Sequence, residues 1–103
     1  MTTDRELLEL AAKAAGFELI WDGVKPPYIQ TDIGWLMWNA LLSDGDALRL
    51  AVKLRMSVHV DNSLTGVINP IGDDFIVAHF GDPYAATRIA IVRAAAEIGK
   101  DMK

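Results

Sequence analysis

Residues 82–103 hold the feature that most constrains the fold, because nearly every position from Pro83 to Gly99 is apolar, small or easily placed in a helix. Asp82 is a natural N-cap, and Pro83 suits the first helical position, where no N–H is missed. On a helical projection Ala85, Ile89, Val92 and Ala96 share one face, while Ile91, Ala95, Ile98 and Met102 share another. So broad an apolar surface requires a helix lying deep against a sheet. The pattern predicts that Gly99 ends it, with Lys100 and Lys103 at the negative end of the helix dipole.

The rest of the chain supplies what such a helix could pack against. Thr3-Asp4-Arg5-Glu6 has the form of a capping box, in which a Thr hydroxyl takes a free backbone N–H while Glu6 reaches back. Leu7, Leu8, Ala11, Ala12, Ala14 and Ala15 follow at helical spacing, with Gly16 as the left-handed stop. Phe17–Trp21 reads as a strand ended by Asp22-Gly23. Lys25-Pro26-Pro27 is excluded from helix and central strand, because two prolines remove two donors. Extended backbone resumes around Tyr28–Thr31, and Trp35–Asn39 is expected to pair with Phe17–Trp21 across the proline-bearing loop. A second helix runs from about Asp44 to Leu54, with Ala47, Leu50, Ala51 and Leu54 on one face and Leu48 and Val52 beside them. Val58–Val60, Thr65–Asn69 and Phe75–Phe80, separated by Asp61-Asn62-Ser63 and by Pro70 with Gly72-Asp73-Asp74, read as an antiparallel meander. The order is helix, two strands, helix, three strands, helix: an α+β chain, mostly antiparallel sheet layered with helices in the manner of an α/β/α sandwich. At 103 residues this is one domain, residues 1–103.

Composition narrows the chemistry. The absence of cysteine removes disulfides, thiol nucleophiles and thiolate metal sites. No apolar run reaches the ~18 residues of a membrane span, and the charged start Met1-Thr2-Thr3-Asp4-Arg5-Glu6 is unlike a signal peptide. Ten basic residues are scattered through a chain of net charge −4. Simple phosphate-backbone binding is disfavoured by that balance, which suits solubility or docking onto a basic protein surface.

The candidate sites are few. Asp44-Gly45-Asp46 has too few acids for a calcium loop and none of the Lys and Ser/Thr of a P-loop. Ser43 or Asp44 capping the second helix, with both acids at the positive end of its dipole, accounts for the stretch. His59 and His79 titrate near neutrality, but a metal pair would need a third ligand, and only Asp61 or Asp73 offers itself. Ser43, Ser57 and Ser63 sit at a cap, a strand start and a turn, and no Gly-x-Ser-x-Gly elbow occurs. These observations predict a non-enzymatic protein without cofactor or metal. Trp21, Tyr28, Trp35 and Trp38 are the stronger candidates, as partner-binding residues. Trp and Tyr are favoured interface anchors, and strand alternation puts Trp35 and Trp38 on opposite faces, so that one can be core and the other exposed.

Three stretches together resemble a known family. Trp38-Asn39 followed by Ser43–Leu54, the closing helix Asp82–Gly99, and the opening Glu6–Gly16 are similar, in the same order, to the phage ABA-sandwich domain family. Ala40 departs from the proline that the family tends to place after Trp-Asn, and residues Lys25–Gly34 are individual to this chain. The resemblance implies a small phage or prophage protein with helices layered on a sheet, and it carries no catalytic residues over. On these grounds the chain is expected to act in the cytoplasm of a bacterial host by binding a host or phage protein, as an inhibitor of a defence system such as CRISPR interference or restriction. The alternatives are a regulator contacting nucleic acid through Arg49, Lys53 and Arg55 or through Arg88 and Arg93, a small hydrolase or metal protein, and a structural homo-oligomer.

Overall fold

The computed structural model describes residues 3–21, 23, 27–31 and 34–102. Lys25 and Pro26 of the proline-bearing loop, Asp22 of the Asp22-Gly23 stop, and Lys103 lie outside the described residues.

Three helices and five strands occur in the expected order: α1 (Asp4–Ala14), β1 (Tyr28–Thr31), β2 (Gly34–Met37), α2 (Asp44–Lys53), β3 (Ser57–Val60), β4 (Leu64–Ile68), β5 (Asp74–Ala78) and α3 (Pro83–Asp101). Local chemistry sets most boundaries. The α1 capping box is complete: Thr3 Oγ1 accepts the Glu6 N–H at 3.1 Å, and Glu6 Oε1 accepts the Thr3 N–H at 3.5 Å. At the other end Gly16 adopts φ +82° and the Phe17 N–H reaches back to the Ala12 carbonyl at 2.8 Å, closing a Schellman motif. Ser43 caps α2 through the Asp46 N–H, and Asp82 caps α3 through the Ala85 N–H, with Pro83 in the first turn.

The α+β class stands, and the layering is one-sided. β3, β4 and β5 form an antiparallel meander, with Val58, Val67 and Phe75 in one row and Val60, Thr65 and Val77 in the next. That face packs on α3, where Val67, Thr65 and Val92 are among the most completely buried side chains. The opposite face, with Ile68 and Ile76, is exposed. α1 and α2 both pack against α3, so this one helix separates the sheet from the other two. That position explains its two apolar faces.

Buried polar groups on this face are all matched. Thr65 Oγ1 lies 2.9 Å from both His79 Nε2 and Thr87 Oγ1, tying β4, β5 and α3 together. The Asn69 amide donates to the Ala94 carbonyl at 3.0 Å, while its Oδ1 accepts the Asp73 N–H. These bonds offset the desolvation of side chains that are otherwise out of water.

Three expectations are corrected. Phe17–Trp21 makes no strand: its side chains alternate in burial, but only Ile20 is bridged, through two bonds with Tyr28 at 2.9 and 3.0 Å. Ile20 and Tyr28 exchange both bonds, so the next hydrogen-bonded pair on that side would need an N–H from sequence position 26, a proline, which has none. The partner of the second strand is therefore β1, in the register Tyr28↔Met37 to Thr31↔Gly34. That strand also stops at Met37: Pro27 and Trp38 are the next pair in register, but only the bond from the Trp38 N–H to the Pro27 carbonyl can form, because proline has no N–H to return, and the Asn39 N–H turns to Asp46. Finally, Gly99 does not end α3, which continues to Asp101. Gly99 is buried, and a Cβ there would stand 2.1 Å from the Leu10 carbonyl oxygen. Here the backbones of α1 and α3 come too close for any side chain between them.

One turn is locally strained. Phe80 and Gly81 both have positive φ, +48° and +90°, and the Asp82 N–H closes on the His79 carbonyl at 3.0 Å. Paired positive φ values suit Asn-Gly rather than Phe-Gly. Phe80 is 96% exposed, so it has almost no burial to set against the strain. Phe80→Asn should therefore raise unfolding stability by about 1 kcal/mol, measurable by urea denaturation; an unchanged or lower midpoint would contradict this.

Candidate functional site

The tight β1–β2 pairing presents two faces. Ile29 and Leu36 are cross-strand partners on one, Tyr28 and Met37 on the other. Against one face lies a groove of about 620 Å³ bounded by Ile29, Leu36, Trp38 and the α2 residues Asp46, Arg49, Leu50 and Lys53. A shallow, open cleft of about 420 Å³ is lined by Ile20, Trp21, Tyr28 and Trp35. Three of the four aromatics singled out from the sequence thus line one surface feature. They are brought there by the Ile20–Tyr28 bridge and by the hairpin register.

Their environments differ. Trp35 is 57% exposed and has no place in the core. Trp21 is half-buried with the Arg5 guanidinium 4.5 Å above its ring, a cation–π contact, and its indole N–H is buried with no hydrogen-bond partner among the described residues. Tyr28 is half-buried. Trp38 leaves the candidate set: it is only 4% exposed, and its ring meets Phe17 edge to face at 6.1 Å. Alternation along the strand sends it inward as it sends Trp35 outward. Ile20 and Met37, both exposed, extend the apolar surface of the cleft face, while Leu36, also exposed, lies on the groove side. They were not singled out from the sequence, since an aliphatic residue in a short strand reads equally well as core.

Asp44-Gly45-Asp46 is engaged in structural bonds. Asp46 Oδ2 accepts the Asn39 N–H at 2.9 Å, and its Oδ1 pairs with Arg49 at 2.8 Å. Asp44 pairs with Arg88 of α3, which also donates to the Leu41 carbonyl at 3.0 Å. The motif clamps the chain before α2 to the helix start and fastens α2 to α3. The same bonds commit Arg49 and Arg88, two of the five basic residues considered for phosphate contact. Lys53 lies over the Phe17 ring at 4.6 Å.

His59 is exposed on the outer sheet face and His79 is half-buried against Thr65. No group of three or more His, Asp or Glu side chains among the described residues is placed to hold a metal ion. Asp61 accepts the Ser63 and Leu64 N–H groups at 2.9 Å each, which hold its carboxyl below the usual range, helped by the nearby histidines. No helix among the described residues is long and apolar enough to cross a membrane. Comparisons with protein-family models, with curated proteins and with solved structures return no match to this chain.

Proposed function

We propose that this chain is a non-enzymatic accessory protein of a phage or prophage that works by binding a protein partner through the cleft of Trp21, Tyr28 and Trp35. The carrying observation is that Trp35, more than half exposed, shares a cleft with two further aromatics and an exposed isoleucine. Large aromatic side chains lose little conformational entropy when a partner covers them and contribute much of the energy at interface centres. The net charge of −4 favours a partner surface that is basic around an apolar anchor. The resemblance to phage ABA-sandwich domains supports the origin. Small size, acidic balance and that origin together support a role in blocking a host defence system from within the bacterial cytoplasm.

The test is affinity capture from infected host cells, paired with phage plating on defended hosts that express the protein. A specific partner, with raised plating efficiency, is expected. Recovery of chaperones alone with unchanged plating would overturn the defence role. Trp35→Ala should reduce partner affinity by at least about tenfold while leaving the melting temperature unchanged; equal capture by both proteins would move the binding surface elsewhere.

A further inference from the structure

A different surface, on the far side of α2 from the hairpin, carries an inference of its own. β3 is an edge strand, paired only with β4 among the described residues, and all four of its residues are exposed. The Asp61 N–H bonds the Leu64 carbonyl at 3.0 Å, which makes Asp61–Leu64 a hydrogen-bonded pair of the hairpin. Such pairs alternate in an antiparallel ladder. Ser57 and His59 therefore turn their backbone groups toward β4, and Val58 and Val60 turn theirs to the open edge. The usual guards of an open edge are lysine, proline or a bulge, and Ser57-Val58-His59-Val60 has no lysine or proline.

We propose that this edge pairs with the same edge of a second copy of the chain, antiparallel and with Val58 on the two-fold axis. In that register Val58 faces Val58 of the second copy and Val60 faces Met56 of the second copy. On the other side of the ladder Ser57 faces His59 of the second copy, and Asp61 meets Arg55 of the second copy. Apolar residues thus meet apolar ones on the groove side, and opposite charges meet twice at the ends. Two features commit the edge to a copy of itself rather than to a foreign strand. The first is this charge complementarity. Arg55, left-handed at φ +55° and exposed, makes no ion pair among the described residues, and Asp61 Oδ1 takes both turn N–H groups, leaving Oδ2 uncommitted among them. The low-lying Asp61 carboxyl stays ionised across the neutral range. The second is the groove of about 460 Å³ between α2 and β3, with Leu48, Val58, Val60, Tyr84 and Ile91 in its lining. Leu48 and Val52, one turn apart on α2, are 62% and 69% exposed. A two-fold at β3 brings the two α2 helices onto the same side of one six-stranded sheet, where these side chains are covered.

Sedimentation equilibrium of the intact chain tests the proposal. A reversible dimer is expected, and a monomer persisting to about 0.5 mM would overturn it. Val60→Lys should raise the dimer dissociation constant by at least about tenfold. Arg55→Glu, which lies outside the strand and leaves its folding intact, should do likewise. Adding Asp61→Asn to Arg55→Glu should recover part of that loss by removing the repulsion while keeping the turn bonds. A dimer indifferent to both single substitutions would place the interface elsewhere and refute this one.

Discussion

Trp38→Ala is expected to lower unfolding stability by about 3–5 kcal/mol and the melting temperature by roughly 12 °C or more. Trp38 is buried beside Phe17, its backbone N–H is bonded to the Pro27 carbonyl at 2.9 Å, and it belongs to the core cluster that joins α1, α2 and α3. Truncation removes the transfer energy of an indole and leaves a cavity that the neighbouring helices, already in contact, cannot fill by collapsing. The same substitution three residues earlier should change stability by less than about 1 kcal/mol, because Trp35 is already solvated. Thermal and urea denaturation of the two variants side by side measures this. A Trp35→Ala loss comparable to that of Trp38→Ala would show that the hairpin face is core and that the cleft is no free surface.

Gly99→Ala should be destabilising by about 3 kcal/mol, although alanine is the better helix former by about 1 kcal/mol. Packing decides the sign. The added Cβ would fall 2.1 Å from the Leu10 carbonyl oxygen and 2.8 Å from its carbon, and both are backbone atoms that side-chain rotation cannot move aside. α1 and α3 must separate, and the contact they lose is the alanine-lined seam of Ala11, Ala12, Ala94 and Ala95. Gly45 supplies the contrast. It is helical too, but a Cβ there meets only the Arg49 guanidinium, at 3.2 Å or more, at the far end of a flexible side chain. Gly45→Ala should therefore be nearly neutral. If Gly99→Ala melts at or above the wild-type temperature, the close approach of the two helices is wrong.

These two residues also show where the sequence is legible and where it is not. The caps were readable because each is a local exchange of a few hydrogen bonds: Thr3 with Glu6, Ser43 with Asp46, Asp82 with Ala85. The meander was readable because its turns contain their own breakers. Gly99 reads as a helix end because glycine ends helices and also lets helices touch, and only a partner distant in sequence, Leu10, distinguishes the two. Phe17–Trp21 has the composition and alternation of a strand, yet a ladder depends on the opposing chain, where the next N–H it would need is at a proline, Pro26. The tryptophans were legible as a group, and alternation alone separated Trp35 from Trp38 once the strand was placed. What no local pattern reveals is that Ile20, Trp21, Tyr28 and Trp35 converge, since the bridge between Ile20 and Tyr28 closes a loop whose length does not dictate it. Asp46 bonding Asn39 is hidden for the same reason.

The central claim is that the aromatic cleft binds a protein partner, independently of the core and of the β3 edge. Calorimetric titration of the captured partner with wild-type protein, Trp35→Ala and Val60→Lys measures that most directly. The account predicts that Trp35→Ala weakens binding by at least about tenfold at an unchanged melting temperature, while Val60→Lys binds as the wild type does. Full affinity in Trp35→Ala would contradict it.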